Sequence, residues 1–83
     1  MKLVYEYQLA MNFVTISMRS KSKPLTARMQ DGVPTLWVEV PRDSVGYEQR
    51  RFAVIPTGLA IIEDSWLYIA TIEDGSFIWH VYE

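Results

Sequence analysis

Apolar and polar residues trade places at every second position over most of this chain, and that period admits strands and little else. In Lys2–Leu9, Leu3, Tyr5, Tyr7 and Leu9 share one side while Glu6 and Gln8 take the other. Successive side chains of a strand point to opposite faces, so the spacing builds one buried and one wet face when extended and no continuous stripe when helical. Phe13–Met18 is β-branched and extended. Leu25–Gln30 sets Leu25, Ala27 and Met29 against Thr26, Arg28 and Gln30, and Thr35–Val40 sets Leu36, Val38 and Val40 against Trp37 and Glu39. Arg50–Ile55, Trp66–Ile72 and Phe77–Tyr82 complete seven predicted strands.

The interruptions have turn chemistry. Asp31-Gly32 and Asp74-Gly75 are hairpin signals, because glycine tolerates the positive φ of tight primed turns. Pro41–Gly46 reads as a loop, and Pro56-Thr57-Gly58 ends the fifth strand because proline cannot donate to a ladder. Ser17–Lys23 reads as a flexible basic connection ending at Pro24, and Leu59–Asp64 as either a short strand or one helical turn. Seven short strands with turns this close predict an all-β fold, a small antiparallel β-sandwich or barrel.

Eighty-three residues make one domain, 1–83. The chain has no cysteine and one histidine, which excludes a disulfide scaffold, a Cys-ligated zinc site and thiol catalysis. A multi-histidine metal site or a Ser-His-Asp apparatus is disfavoured on the same ground, so no catalytic residue, metal or cofactor is assigned. Eleven aromatics supply bulk for a core that has no staples. The last strand is bulky on both sides, with Phe77, Trp79 and Val81 on one and Ile78, His80 and Tyr82 on the other. Such a strand is central in a sheet or lies in a subunit interface, and homo-oligomerisation through Phe77, Trp79 and Tyr82 is the expectation.

The net charge of −2 argues against general nucleic-acid binding. It is unevenly spread: residues 18–51 carry seven of the eight basic residues against four acids, and residues 52–83 carry five acids and no Lys or Arg. No apolar run approaches the roughly 20 residues of a membrane span, and Glu6 and Gln8 interrupt any leader-like core, so a cytoplasmic, membrane-free location is expected.

Leu36-Trp37-Val38-Glu39-Val40, Arg51-Phe52-Ala53-Val54, Thr57-Gly58, Tyr68-Ile69-Ala70-Thr71 and the ending Ile78-Trp79-His80-Val81-Tyr82-Glu83 resemble a family of small phage-encoded proteins of unknown function. Tyr5-Glu6-Tyr7 with Thr15-Ile16 fits the same pattern, and nearly the whole chain is covered. The family usually has His-Pro after Thr-Gly where this chain has Leu59-Ala60, so no role of that His-Pro transfers. The resemblance implies a viral origin and expression inside an infected bacterium, where accessory and counter-defence factors are common.

Three constellations suit a ligand. Ser17–Lys23 alternates hydroxyls with Arg19, Lys21 and Lys23, a mixture that fits phosphate oxygens without being a P-loop. Arg28 and Arg51 are further candidates for phosphate, although Arg50 and Arg51 point to opposite faces and cannot form one clamp. One of the two arginines is instead expected to join Arg28 and Glu39 in cross-strand pairs. Tyr47, Trp37 and Trp66 could stack on a ring, Trp66 being the best rim candidate because it follows Glu63-Asp64-Ser65. His80 reads as a hydrogen-bonded structural residue, and Glu63-Asp64 and Glu73-Asp74 as turn and solvation residues.

The leading expectation is a non-enzymatic, homo-oligomeric counter-defence protein that sequesters a nucleotide-derived immune signal. Inhibition of a host protein by direct binding and a role in the virion are the alternatives, with hydrolysis last.

Overall fold

A computed structural model describes residues 1–59 and 63–83. Within them the chain forms seven strands and no helix. These are β1 (Lys2–Gln8), β2 (Asn12–Arg19), β3 (Lys23–Gln30), β4 (Val33–Pro41), β5 (Tyr47–Pro56), β6 (Tyr68–Asp74) and β7 (Phe77–Tyr82). They make two antiparallel sheets, one ordered β1-β4-β3 and the other β2-β5-β7-β6. The all-β expectation therefore holds, as two sheets around a shared core.

The alternation reads out directly in burial. Leu36, Val38 and Val40 of β4 meet Met18, Phe52, Val54, Ile72 and Val81 of the second sheet in a single cluster, and all are almost fully buried. The intervening residues of β4, Trp37 and Glu39, face outward beside Glu6 and Val4 of β1. β3 and β6 lie side by side where the two sheets approach each other. Each carries a register shift there, between Pro24 and Thr26 and between Tyr68 and Ala70.

Both hairpins form, with different geometry. Asp31 and Gly32 have φ of 51° and 79°, the pair of positive values of a type I′ turn. In the second hairpin Asp74 pairs with Phe77, so the turn is centred on Gly75-Ser76 and only Gly75 (φ 62°) is left-handed, as in type II′.

Several expectations need correction. Ser17–Lys23 is no open loop: β2 runs on through Arg19 and β3 starts at Lys23, leaving Ser20–Ser22 as the turn. The turn is tight because Lys21 adopts φ 64°, Ser22 donates its hydroxyl to the Arg19 carbonyl, and Ser44 donates its hydroxyl to the Ser20 carbonyl. Met18 and Ser22 are buried. Leu25 does not join Ala27 and Met29 on the inner face; it is the extra residue of the β3 bulge and is 45% exposed. β4 extends to Pro41, β5 begins at Tyr47 and β6 at Tyr68. The reading of Leu59–Asp64 falls partly on residues 60–62, outside the described residues.

β7 is flanked by β5 and β6. Its two bulky faces are thus the mark of a central strand and do not signal a terminal edge. Trp79 and Tyr82 are half-buried, Tyr82 against Tyr68 and Trp79 stacked by the exposed Phe77. Among the described residues no helix is long and apolar enough to cross a membrane.

Candidate ligand-binding face

β5 sits second in its sheet, with β2 on one side and β7 on the other. Its register with β2 is unbroken from Tyr47 to Val54, so residues 48, 50, 52 and 54 lie on the inner side of the sheet, the last two in the core, and 47, 49, 51 and 53 on the outer side. The two adjacent arginines accordingly meet opposite environments.

Arg50 is locked. It forms a two-pronged pair with Glu83, its Nε on one carboxylate oxygen and its Nη2 on the other at 2.9 Å. Its Nη1 reaches Glu48 Oε1 at 2.8 Å and the Ser22 carbonyl at 2.9 Å. The hydrogen bonds it donates to Glu83, together with the attraction of the Glu83 and Glu48 carboxylates, hold the guanidinium above its ordinary value against the opposing pull of burial. Arg50 thus ties the end of the chain and the β2–β3 turn to β5, and its charge is neutralised.

Arg51 is on the other side, exposed, with its guanidinium carbon 5.5 Å from the centroid of Trp66. Trp66 also leans on Phe13 of β2, with ring centroids 5.8 Å apart. Because β5 and β6 run parallel with β7 between them, the chain after Pro56 must return a full strand length to reach Tyr68. Trp66 is fixed on that return, just before Leu67 exchanges backbone hydrogen bonds with Glu83. A cleft of about 310 Å³ results, lined by Gln49, Arg50, Arg51, Glu63, Ser65, Trp66 and Glu83.

A second arginine–aromatic pair lies on the same face. Arg19 is the cross-strand partner of Tyr47, its guanidinium carbon 5.8 Å from the ring centroid, and it donates to the Ser44 carbonyl at 2.7 Å. Tyr47 is 69% exposed. Ser17 and its partner Gln49 separate this pair from Thr15 and Arg51. From Tyr47 to Arg51 is four strand residues, about 13 Å. Four of the seven sequence-predicted ligand residues, Arg19, Tyr47, Arg51 and Trp66, thereby fall in one line on the outer face of β2 and β5.

The others fall elsewhere. Lys21 and Lys23 sit at the β2–β3 turn, exposed, with the Lys21 backbone N–H donating to Glu48. Arg28 lies on the outer face of the other sheet, 5.2 Å over Trp37. It cannot share a ligand with Arg51 across the thickness of the core. The expected cross-strand partnership of Arg28, Glu39 and an arginine of β5 does not form, since Glu39 pairs with Lys2 at 3.1 Å. Phe77, Trp79 and Tyr82 are apart from the cleft.

Sequence reasoning missed two features. One is Glu83, whose long-range pairing with Arg50 no local pattern announces. The other is a chain of hydrogen bonds across β6 and β7. Thr57 Oγ1 lies 2.8 Å from His80 Nε2, His80 Nδ1 lies 3.1 Å from Thr71 Oγ1, and Thr71 lies 2.7 Å from the Tyr68 hydroxyl. His80 is thus a hydrogen-bonded residue on the sheet surface, as expected. Among the described residues no carboxylate hydrogen-bonds it, and no group of three or more His, Cys, Asp or Glu is placed to hold a metal.

The domain of unknown function DUF7352 matches residues 1–83, the whole of the sequence given, and the chain belongs to that family. No curated protein and no solved structure matches it.

Proposed function

We propose that this member of the DUF7352 family is a non-enzymatic binding protein for an elongated, nucleotide-derived anion, held along the outer face of β2 and β5. The carrying observation is the pairing of Arg19 with Tyr47 and of Arg51 with Trp66, about 13 Å apart on one face, with Ser17 and Gln49 between them. Each pair offers a ring and a guanidinium with donors left for phosphate, Arg19 giving one of its own to the Ser44 carbonyl. The acids orient the ligand. Glu83 is neutralised by Arg50, while Glu63 stands on the Trp66 side of the cleft. A phosphate therefore belongs toward Ser17 and Arg19, and a base or ribose hydroxyl toward Trp66 and Glu63. The phage resemblance makes sequestration of a host immune signal the setting in which such binding would matter.

Titration of the purified protein with mono- and dinucleotides, followed by tryptophan fluorescence and calorimetry, tests this. Arg19→Glu and Arg51→Glu should each weaken binding roughly 10- to 100-fold, the worth of a charge-assisted contact. Arg28→Glu, on the other sheet, should leave it unchanged. Equal affinity in all three variants, or no binding of any nucleotide at millimolar concentration, overturns the reading.

A further inference from the structure

The four strand edges of the two sheets are not equally protected. β3 and β6 lie beside each other and both bulge, and bulges spoil an edge as a template. β2 presents the polar Thr15, Ser17 and Arg19 outward, and the one exposed apolar residue on that side, Phe13, packs on Trp66. β1 has no proline and no bulge, and it exposes an apolar side chain on each side: Leu3 on the inner face is 41% exposed, and Val4, set between Lys2 and Glu6 on the outer face, 59%.

We infer that β1 is the contact with a second copy of this chain, pairing antiparallel with its own equivalent about a two-fold axis through Val4. The axis must pass through a residue, because a one-residue offset would set inner against outer side chains. Centred on Val4, the register places Lys2 opposite the partner's Glu6, Leu3 opposite the partner's Tyr5, and Val4 opposite its own copy. Each charge finds its opposite, twice by symmetry, and the exposed apolar side chains of β1 are covered. Centred on Tyr5, Val4 would face Glu6 and Lys2 would face Gln8. Charge therefore selects the first register. Lys2 contacts Glu39 of β4 and Glu6 accepts from Gln30 of β3 at 2.7 Å, which puts both side chains on the outer face, the face on which this register sets them opposite each other. The result is a continuous six-stranded sheet, β3-β4-β1 joined to its symmetry copy. This interface lies at the edge of the sheet that does not carry the proposed ligand face, so it stands independently of that reading.

Charge exchange tests the register. In sedimentation velocity at tens of micromolar, the wild-type protein should run as a dimer. Lys2→Glu and Glu6→Lys should each weaken dimerisation roughly tenfold or more, by placing like charges opposite one another at two symmetric points. The Lys2→Glu/Glu6→Lys double variant should restore the dimer. Rescue separates the interface from the contacts within one chain, since neither the Glu39 nor the Gln30 contact is rebuilt by the exchange. Val4→Lys should give a monomer with an unchanged circular-dichroism spectrum. A monomeric wild type, a double variant that stays dissociated, or a folded Val4→Lys protein that still dimerises overturns the inference.

Discussion

Arg50 and Arg51 are neighbours in sequence and opposites in circumstance. Arg50, on the inner side of β5, has two carboxylates and a backbone carbonyl around it, so four of its five donors are engaged and its charge is cancelled. Arg51, on the outer side, has a tryptophan ring beneath it and no hydrogen-bond partner among the described residues. The same guanidinium is a fastener in one place and an available donor set in the other. A strand's period of two makes this division, and no difference in the residues themselves is needed.

The largest effect should come from the core on which both rest. Phe52, next to Arg51 in the chain and on the inner side with Arg50, is fully buried. Phe52→Ala should cost about 3–5 kcal/mol, read as a lower denaturant midpoint, because a ring-sized cavity opens where the sheets meet. Next comes the fastener. Arg50→Met removes the bonds to Glu83, Glu48 and Ser22 and should cost about 1–3 kcal/mol, with faster hydrogen exchange in the β2–β3 turn and at Leu67. Its pH dependence has a definite sign. A base raised in the folded state contributes fully below its unfolded pKa and loses that contribution only as pH rises through the folded value. On the side of the guanidinium, then, the contribution is constant through the neutral range and declines only in strong alkali.

What was legible in the sequence follows from what is local. The alternation of β1 and β4 and the glycine turns fixed seven strands and the faces of most of them, because those signals depend on residues two to four apart. The opposition of Arg50 and Arg51 was legible for the same reason. The basic segment misled because charge is read as exposure: Met18 is the one apolar residue in Ser17–Lys23, and it is wholly buried, which carries β2 through to Arg19. The bulge that turns Leu25 outward breaks the parity on which pattern reading depends. The bulky last strand was ambiguous in principle, since central and interfacial strands bury the same surfaces; the strand order β5-β7-β6 places it inside its sheet. The line of Arg19, Tyr47, Arg51 and Trp66 needed the β2–β5 register and the return of the chain to Trp66, neither of which is local.

The smaller predictions sharpen the contrast on the outer side. Trp66→Ala removes a half-buried ring that touches Phe13 and supports Arg51, so a stability loss of about 1 kcal/mol is expected, near the value of one aromatic pair, with a larger loss of nucleotide affinity. Arg51→Ala is the limiting case. Its side chain is exposed and makes no ion pair among the described residues, and the cation–π contact at an exposed site is worth roughly 0.5–1 kcal/mol at most. The folded state should therefore lose no more than about 1 kcal/mol. Binding should fall by tenfold or more, because the guanidinium is the donor nearest the stacked ring. Thermal unfolding and calorimetry on the same sample read the two quantities separately. If Arg51→Ala costs as much stability as Arg50→Met while affinity is retained, the outer guanidinium is a fastener too, and the division of labour across β5 does not exist.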